Sequence, residues 1–117
     1  MHMTAALLMG NPCDEEEDNM ALLACQSADG RMFLMSRYPG EDEIDIAFDE
    51  DEPAGVRDIK VTLSASALVV EVAAEDADLF GGDMLLEVAH SSDAEDLAEL
   101  AATLEVILAG TGTLVRA

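Results

Sequence analysis

Apolar residues recur along this chain with two different periods. Through residue 89 they come in short runs or alternate with polar residues, as strands require. Residues 4 to 10 form a short apolar piece, read as an edge strand that Asn11-Pro12 breaks. Met20 to Cys25 is brief and continuously apolar, the pattern of a buried strand. Asp29-Gly30 then signals a hairpin, because glycine supplies the positive φ of a tight turn. Arg31 to Tyr38 is the return strand, with Met32, Phe33, Leu34 and Met35 at its centre, and Pro39-Gly40 ends it. Glu43 to Phe48 alternates: Ile44, Ile46 and Phe48 face one way, Glu43, Asp45 and Ala47 the other. Ile59, Val61 and Leu63 point inward from the next strand, and Ser64-Ala65-Ser66 turns the chain. Leu68, Val70 and Val72 follow on another strand, and Met84, Leu86 and Val88 share a face of the last one.

From Ala73 the character changes. Alanine and acids replace β-branched residues, which predicts a short helix near 74–80 stopped by Gly81-Gly82. The clearest helix runs from about Asp93 to Ala109. Ser92 with Glu95 three positions on is a capping-box pattern, and Leu97, Leu100, Ala101, Leu104 and Leu108 make a stripe at helical spacing. The expected fold is α+β: a mainly antiparallel sheet of five to seven strands packed against one long C-terminal helix. The helix stripe is expected to cover the face made by Ile44, Ile46, Phe48, Ile59, Val61, Leu63, Leu68, Val70 and Val72. Residues 3–110 read as one domain and 111–117 as a loose tail. Met1-His2-Met3 reads as a cloning remnant before a native start at Met3, so His2 is left out of functional argument.

Length and composition support one autonomous core. A chain of 117 residues buries roughly 65% of the surface its unfolded form exposes. The core must be aliphatic, since three Phe, one Tyr and no Trp are present, and seven Met add adaptable filling. Cys13 and Cys25 are too few for a disulfide framework and read as reduced thiols, Cys25 as a core residue, with a bridge between them left open. No secretion signal or membrane span is apparent, so a cytoplasmic protein is expected.

Charge changes this picture most. Asp and Glu number 26 against five Lys and Arg, a formal net charge of -21 in a chain that is half apolar. The apolar half implies a folded core, and the acid excess implies a basic partner. Such a charge makes the compact state repel itself.

Motifs for chemistry are missing. His90 stands where a strand hands over to a helix, a structural position. No nucleophile elbow or phosphate-cradling glycine loop occurs. The acidic runs lack the alternate spacing and central glycine of a calcium loop, so neither a metal site nor any cofactor is expected, although weak divalent binding stays open. With so many acids, a close carboxylate pair carries no information about glycosidase chemistry.

The sharpest constellation is Glu41 to Glu52, in which eight of twelve residues are acidic. A strand pinning Glu43 and Asp45 outward, flanked by Glu41, Asp42, Asp49, Glu50, Asp51 and Glu52, presents a fixed negative field. Such a field raises the on-rate of a cationic partner by about 10- to 1000-fold at low salt. Glu15, Glu16 and Glu17, in the run Asp14 to Asp18, extend the candidate partner-binding set. The plain alternative is a solvated face that also guards strand edges from aggregation.

The order of these pieces resembles the immunity protein ten family, small acidic antidotes to bacterial polymorphic toxins. The likeness is carried by the acidic lead-in Glu15 to Asn19, the Asp29-Gly30 hairpin and RMFLMSR at Arg31 to Arg37. It continues in the acidic strand Glu43 to Phe48, DIKVTLSASALVVEV at Asp58 to Val72, the Ala-rich stretch to Gly82, MLLEV and the terminal helix, so it spans about residues 13 to 110. The family pattern often carries glycines and a tyrosine before the DIKVTLS-like strand; here Asp51 to Val56 has Gly55 and no aromatic. The resemblance implies a non-enzymatic inhibitor that binds a cognate toxin domain in the producer's cytosol, without direct contact to nucleic acid or membrane. Two other classes use the same charge: an acidic mimic of nucleic acid that blocks a DNA-binding protein, and a chaperone or adaptor for a secreted effector.

Overall fold

A computed structural model describes residues 1–49 and 52–117. Its strands are β1 (His2–Asp14), β2 (Met20–Ser27), β3 (Met32–Arg37), β4 (Ile44–Phe48), β5 (Ala54–Val56), β6 (Ile59–Leu63), β7 (Ala67–Glu71), β8 (Leu85–Ala89) and β9 (Gly112–Arg116). The one α-helix among the described residues is α1 (Ala94–Leu108). The strands form one sheet in the order β5-β4-β3-β2-β1-β8-β7-β6-β9. Two pairings, β1 with β8 and β6 with β9, are parallel, so the sheet is mixed.

This corrects the expected architecture of a five-to-seven-stranded, mainly antiparallel sheet under one long helix. The first cause is β1. It is a long strand at the centre of the sheet, not a short edge strand, and it pairs with β2 from Ala5↔Ser27 to Asp14↔Met20. Asn11-Pro12 does not end it. Proline lacks the ladder N–H but is tolerated at irregularities, and the register shifts between Asn11 and Asp14. A second shift, between Ala5 and Leu7, turns Leu8 and Gly10 inward beside Cys25 and Leu23.

The second cause is β9. Residues 111–117, expected as a loose tail, carry a strand aligned with β6 from Ile59↔Gly112 to Leu63↔Arg116. Gly112 makes this possible. A Cβ there would lie 2.7 Å from a Leu108 methyl and 2.8 Å from the Ile59 carbonyl oxygen. Only a bare Cα lets the chain leave α1 and pass so close to β6.

The third correction concerns the helix. It packs mainly over β1 and β2, with β9 and β3 beside them, and does not blanket the β4, β6 and β7 face. Gly10 marks the closest approach: a Cβ there would sit 2.6 Å from Thr103 Oγ1. Asp93, not Ser92, caps α1, its carboxylate accepting from Asp96 N–H at 2.9 Å. Ser92 instead pairs its hydroxyl with His90 Nδ1 at 3.0 Å.

What covers the β4, β6 and β7 face is the sheet itself. β5 lies at one edge and β6 next to the other, yet only Arg57 and Asp58 join them. Two residues reach about 11 Å between flanking Cα atoms, so the sheet must curl until its halves face each other. Ile44, Ile46 and Phe48 thereby share one core with Ile59, Val61, Leu63, Leu68 and Val70. A 3-10 helix at Ala74–Phe80, ended by Gly81 at φ 67°, delivers Phe80 into this core. Its ring lies 6.3 Å from Phe33 and 6.1 Å from Phe48, centroid to centroid, both near edge-on. Such pairs add about 1 kcal/mol beyond their burial.

Candidate protein-binding surface

The pairing of β2, β3 and β4 decides where the acids go. Asp14 pairs with Met20, Ala21 with Arg37 and Ser36 with Asp45. The turn after β1 and the connection before β4 therefore lie on the same rim of the sheet. Glu15, Glu16 and Glu17 form a 3-10 turn there and are exposed. Asp14 caps that turn, accepting from Glu16 N–H at 3.1 Å. Asp18 and Asn19 turn the chain back with φ of 57° and 63°, a conformation that Asp and Asn adopt more readily than most residues.

Glu41, Asp42 and Glu43 stand across β2 and β3 from this turn. Two to three strand spacings separate the two groups, roughly 10–15 Å. That exceeds the screening length of physiological salt, about 8 Å, so the two groups act as one field chiefly at low ionic strength. Glu43 lies over β5, where a Cβ on Gly55 would be only 3.0 Å from its Oε2. Asp45 is half-buried on the outer face between Ser36 and Gly55. Two cations share the neighbourhood. Arg57 is exposed after Val56, the partner of Ile44. Arg37 is turned toward backbone: Nε and Nη2 donate to the Glu41 carbonyl at 3.0 and 2.8 Å, and Nη1 donates to the Ile107 carbonyl at 3.0 Å.

The run Glu41 to Glu52 does not form one patch. Five residues of β4 divide it, so Asp49 lies roughly 17 Å along the strand from Ile44, at the opposite rim. Asp49 is also committed within the fold. Its Oδ1 accepts from Met32 N–H at 3.1 Å, its Oδ2 lies 3.4 Å from Arg31 Nη2, and its own N–H donates to Met32 O. Arg31 stacks in turn over Phe48, 4.8 Å from the ring centroid. Glu52 is exposed, and Glu50 and Asp51 lie outside the described residues.

Sequence reasoning missed a second set beside these acids. The outward residues of β1 to β4 fall in rows across the sheet: Met9–Ala24–Leu34–Ala47, Leu7–Gln26–Met32, and Asn11–Leu22–Ser36–Asp45. Leu7 is 51% exposed and Met9 49%. Leu22, Ala24, Met32, Leu34 and Ala47 are only partly covered. The signal was the unbroken apolar run in Met20 to Cys25 and in Met32 to Met35. In a sheet with one buried face, such a run puts every second apolar residue outside.

Among the described residues, no three His, Cys, Asp or Glu side chains converge as metal ligands would. No helix of the described residues is long and apolar enough to cross a membrane. His90 Nε2 is buried without a hydrogen-bond partner. Cys13 is exposed and Cys25 buried, both as free thiols, and burial pushes the Cys25 thiol up. No protein-family model, curated protein or solved structure matches this chain.

Proposed function

We propose that this chain is a non-enzymatic immunity protein that neutralises a cognate bacterial toxin in the cytoplasm by docking an acidic rim on a basic toxin surface. One observation carries the reading: β2, β3 and β4 gather Glu15, Glu16, Glu17, Glu41, Asp42, Glu43 and Asp45 along one side of the sheet. Asp45 is fixed by β4, Glu15 to Glu17 by a capped turn and the Glu41 backbone by Arg37, so these carboxylates have little freedom to scatter and relieve their repulsion. They keep a directed negative field that steers a cationic partner. Arg37 spends its hydrogen bonds on backbone carbonyls, that of Glu41 included, and among the described residues no ion pair engages those carboxylates. The resemblance through residues 13 to 110 supplies the toxin as partner class.

The test is protection of cells expressing the toxic product of the adjacent gene. Reversing Glu15, Glu17, Asp42 and Glu43 to Lys is expected to slow association at least tenfold at low salt and to abolish protection, with the circular dichroism spectrum unchanged. Full protection by that variant overturns the acidic rim as the docking element.

A further inference from the structure

Building on the reading of an acidic docking domain, we propose that the outer face of β1 to β4 is the centre of the partner contact. Its occupant is a folded protein whose docking surface is apolar in the middle and lined by lysine and arginine. The apolar part is Leu7, Met9, Leu22, Ala24, Leu34 and Met32, brought side by side by the strand register. The helix does not lie over these residues: α1 packs on the other face, where Gly10 meets Thr103, and Leu7 and Met9 stay about half-exposed while the others are partly covered by their neighbours. An apolar strip rimmed by charged residues has the layout of a protein-docking surface.

Size and charge together select the occupant. Three strand spacings by four residues of rise make a patch of roughly 200 Å². A stable interface needs about 800 Å² from each partner, so the apolar strip alone holds nothing firmly. The surroundings must contribute, and they are acidic at both ends: Glu15 to Asp18, Glu43 and Asp45 on one rim, Asp29 and Glu52 on the other, where Asp49 is already paired with Arg31. Against a second copy, each with a net charge of -21, those rims would meet acid to acid. Against a basic protein they attract. This is the usual division of an interface into an apolar core and a polar rim, the core governing dissociation and the rim governing encounter.

The probe is the purified product of the adjacent gene, titrated against the whole chain. The triple variant Leu7→Thr, Met9→Thr, Leu34→Thr keeps strand propensity with β-branched residues. It is expected to raise the dissociation rate at least tenfold while leaving the association rate and its salt dependence unchanged. Peroxide footprinting reads the same face without any substitution. Oxidation of Met9 should fall at least fivefold in the complex, while Met84, 54% exposed before β8, should oxidise as in the free chain. If the triple variant dissociates like the parent and Met9 oxidises equally fast in both states, the inference is overturned. Salt-sensitive binding in that case still leaves the acidic rim standing. A dimer of the free chain at high salt, lost in the triple variant, assigns the face to a second copy and also overturns it. Absence of any binding defeats the immunity reading and this inference with it.

Discussion

Arg37 in β3 holds the carbonyl of Ile107 in the last turn of α1, Nη1 to O at 3.0 Å, across 70 residues of sequence. The same guanidinium also donates to Ala109 O and Glu41 O. The last turn of α1 contains no basic residue of its own, so the sheet supplies the cation that a helix C-terminus favours. One side chain thus fastens the helix end to the connection that bears Glu41, Asp42 and Glu43.

Replacing Arg37 with Ala is expected to lower stability by about 2 kcal/mol, the scale of lost hydrogen bonds to a charged donor. Arg37→Lys should recover only part, because an ammonium cannot fork between Glu41 and Ile107. Urea unfolding reads both, and an unchanged midpoint for Arg37→Ala would show that the clamp contributes nothing.

Gly10 and Thr103 should behave as a coupled pair. Gly10→Ala forces α1 away from β1, an overpacking cost of roughly 1–3 kcal/mol. Thr103→Ala removes the nearest atom, Oγ1, though not Thr103 Cβ at 3.0 Å. The double variant is therefore expected to be more stable than the two single losses sum to. Strict additivity in a double-mutant cycle would refute the close approach.

The two thiols should separate cleanly. Cys13 is exposed, whereas Cys25 is buried and pushed up, which removes the reactive thiolate. One equivalent of an aromatic disulfide reagent should react promptly with the native chain and a second only in denaturant. Two fast equivalents would place Cys25 outside the core.

Acid should weaken the β2–β3 turn through Asp29. The Ser27 hydroxyl donates to its carboxylate and holds the Asp29 carboxyl below its ordinary value, with backbone hydrogen bonds and the nearby Arg31 adding to the effect. A depressed folded pKa stabilises above the unfolded value, about 4, and that gain is lost as pH falls through the folded one. Asp29→Asn should therefore be less stable than the parent at neutral pH, with the gap closing in acid. A gap that fails to narrow as the pH is lowered would rule out the carboxylate as its source.

The sequence was most legible where alternation was strict. Ile44, Ile46 and Phe48 are buried as their spacing requires, and Asp29-Gly30 sits in a β2–β3 turn with Gly30 at φ 90°. It was least legible where long-range geometry overruled a local signal. Pro12 breaks a strand in isolation, but beside β2 it occupies a register shift. Thr111 to Thr113 looks like loose chain until β6 offers a parallel neighbour. Asp49 reads as one more surface acid, and only the β3–β4 register turns it toward Arg31 and Met32. The curl of the sheet left no mark in the periodicity of any single strand. It follows from the two-residue link between Val56 and Ile59, which means something only once the strand order is known.

The double pairing of β1 also sets a schedule for synthesis. Its antiparallel neighbour β2 emerges from the ribosome almost at once, but Met3 and Thr4 wait for Val88 and Ala89. At ordinary translation rates of 5–20 residues per second, about 85 residues of delay is roughly 4–17 s. Through that interval the leading end of β1 has no parallel neighbour, and an open strand edge is a template for aggregation. Mutual repulsion between chains of this charge opposes edge-to-edge pairing while the missing strand is made.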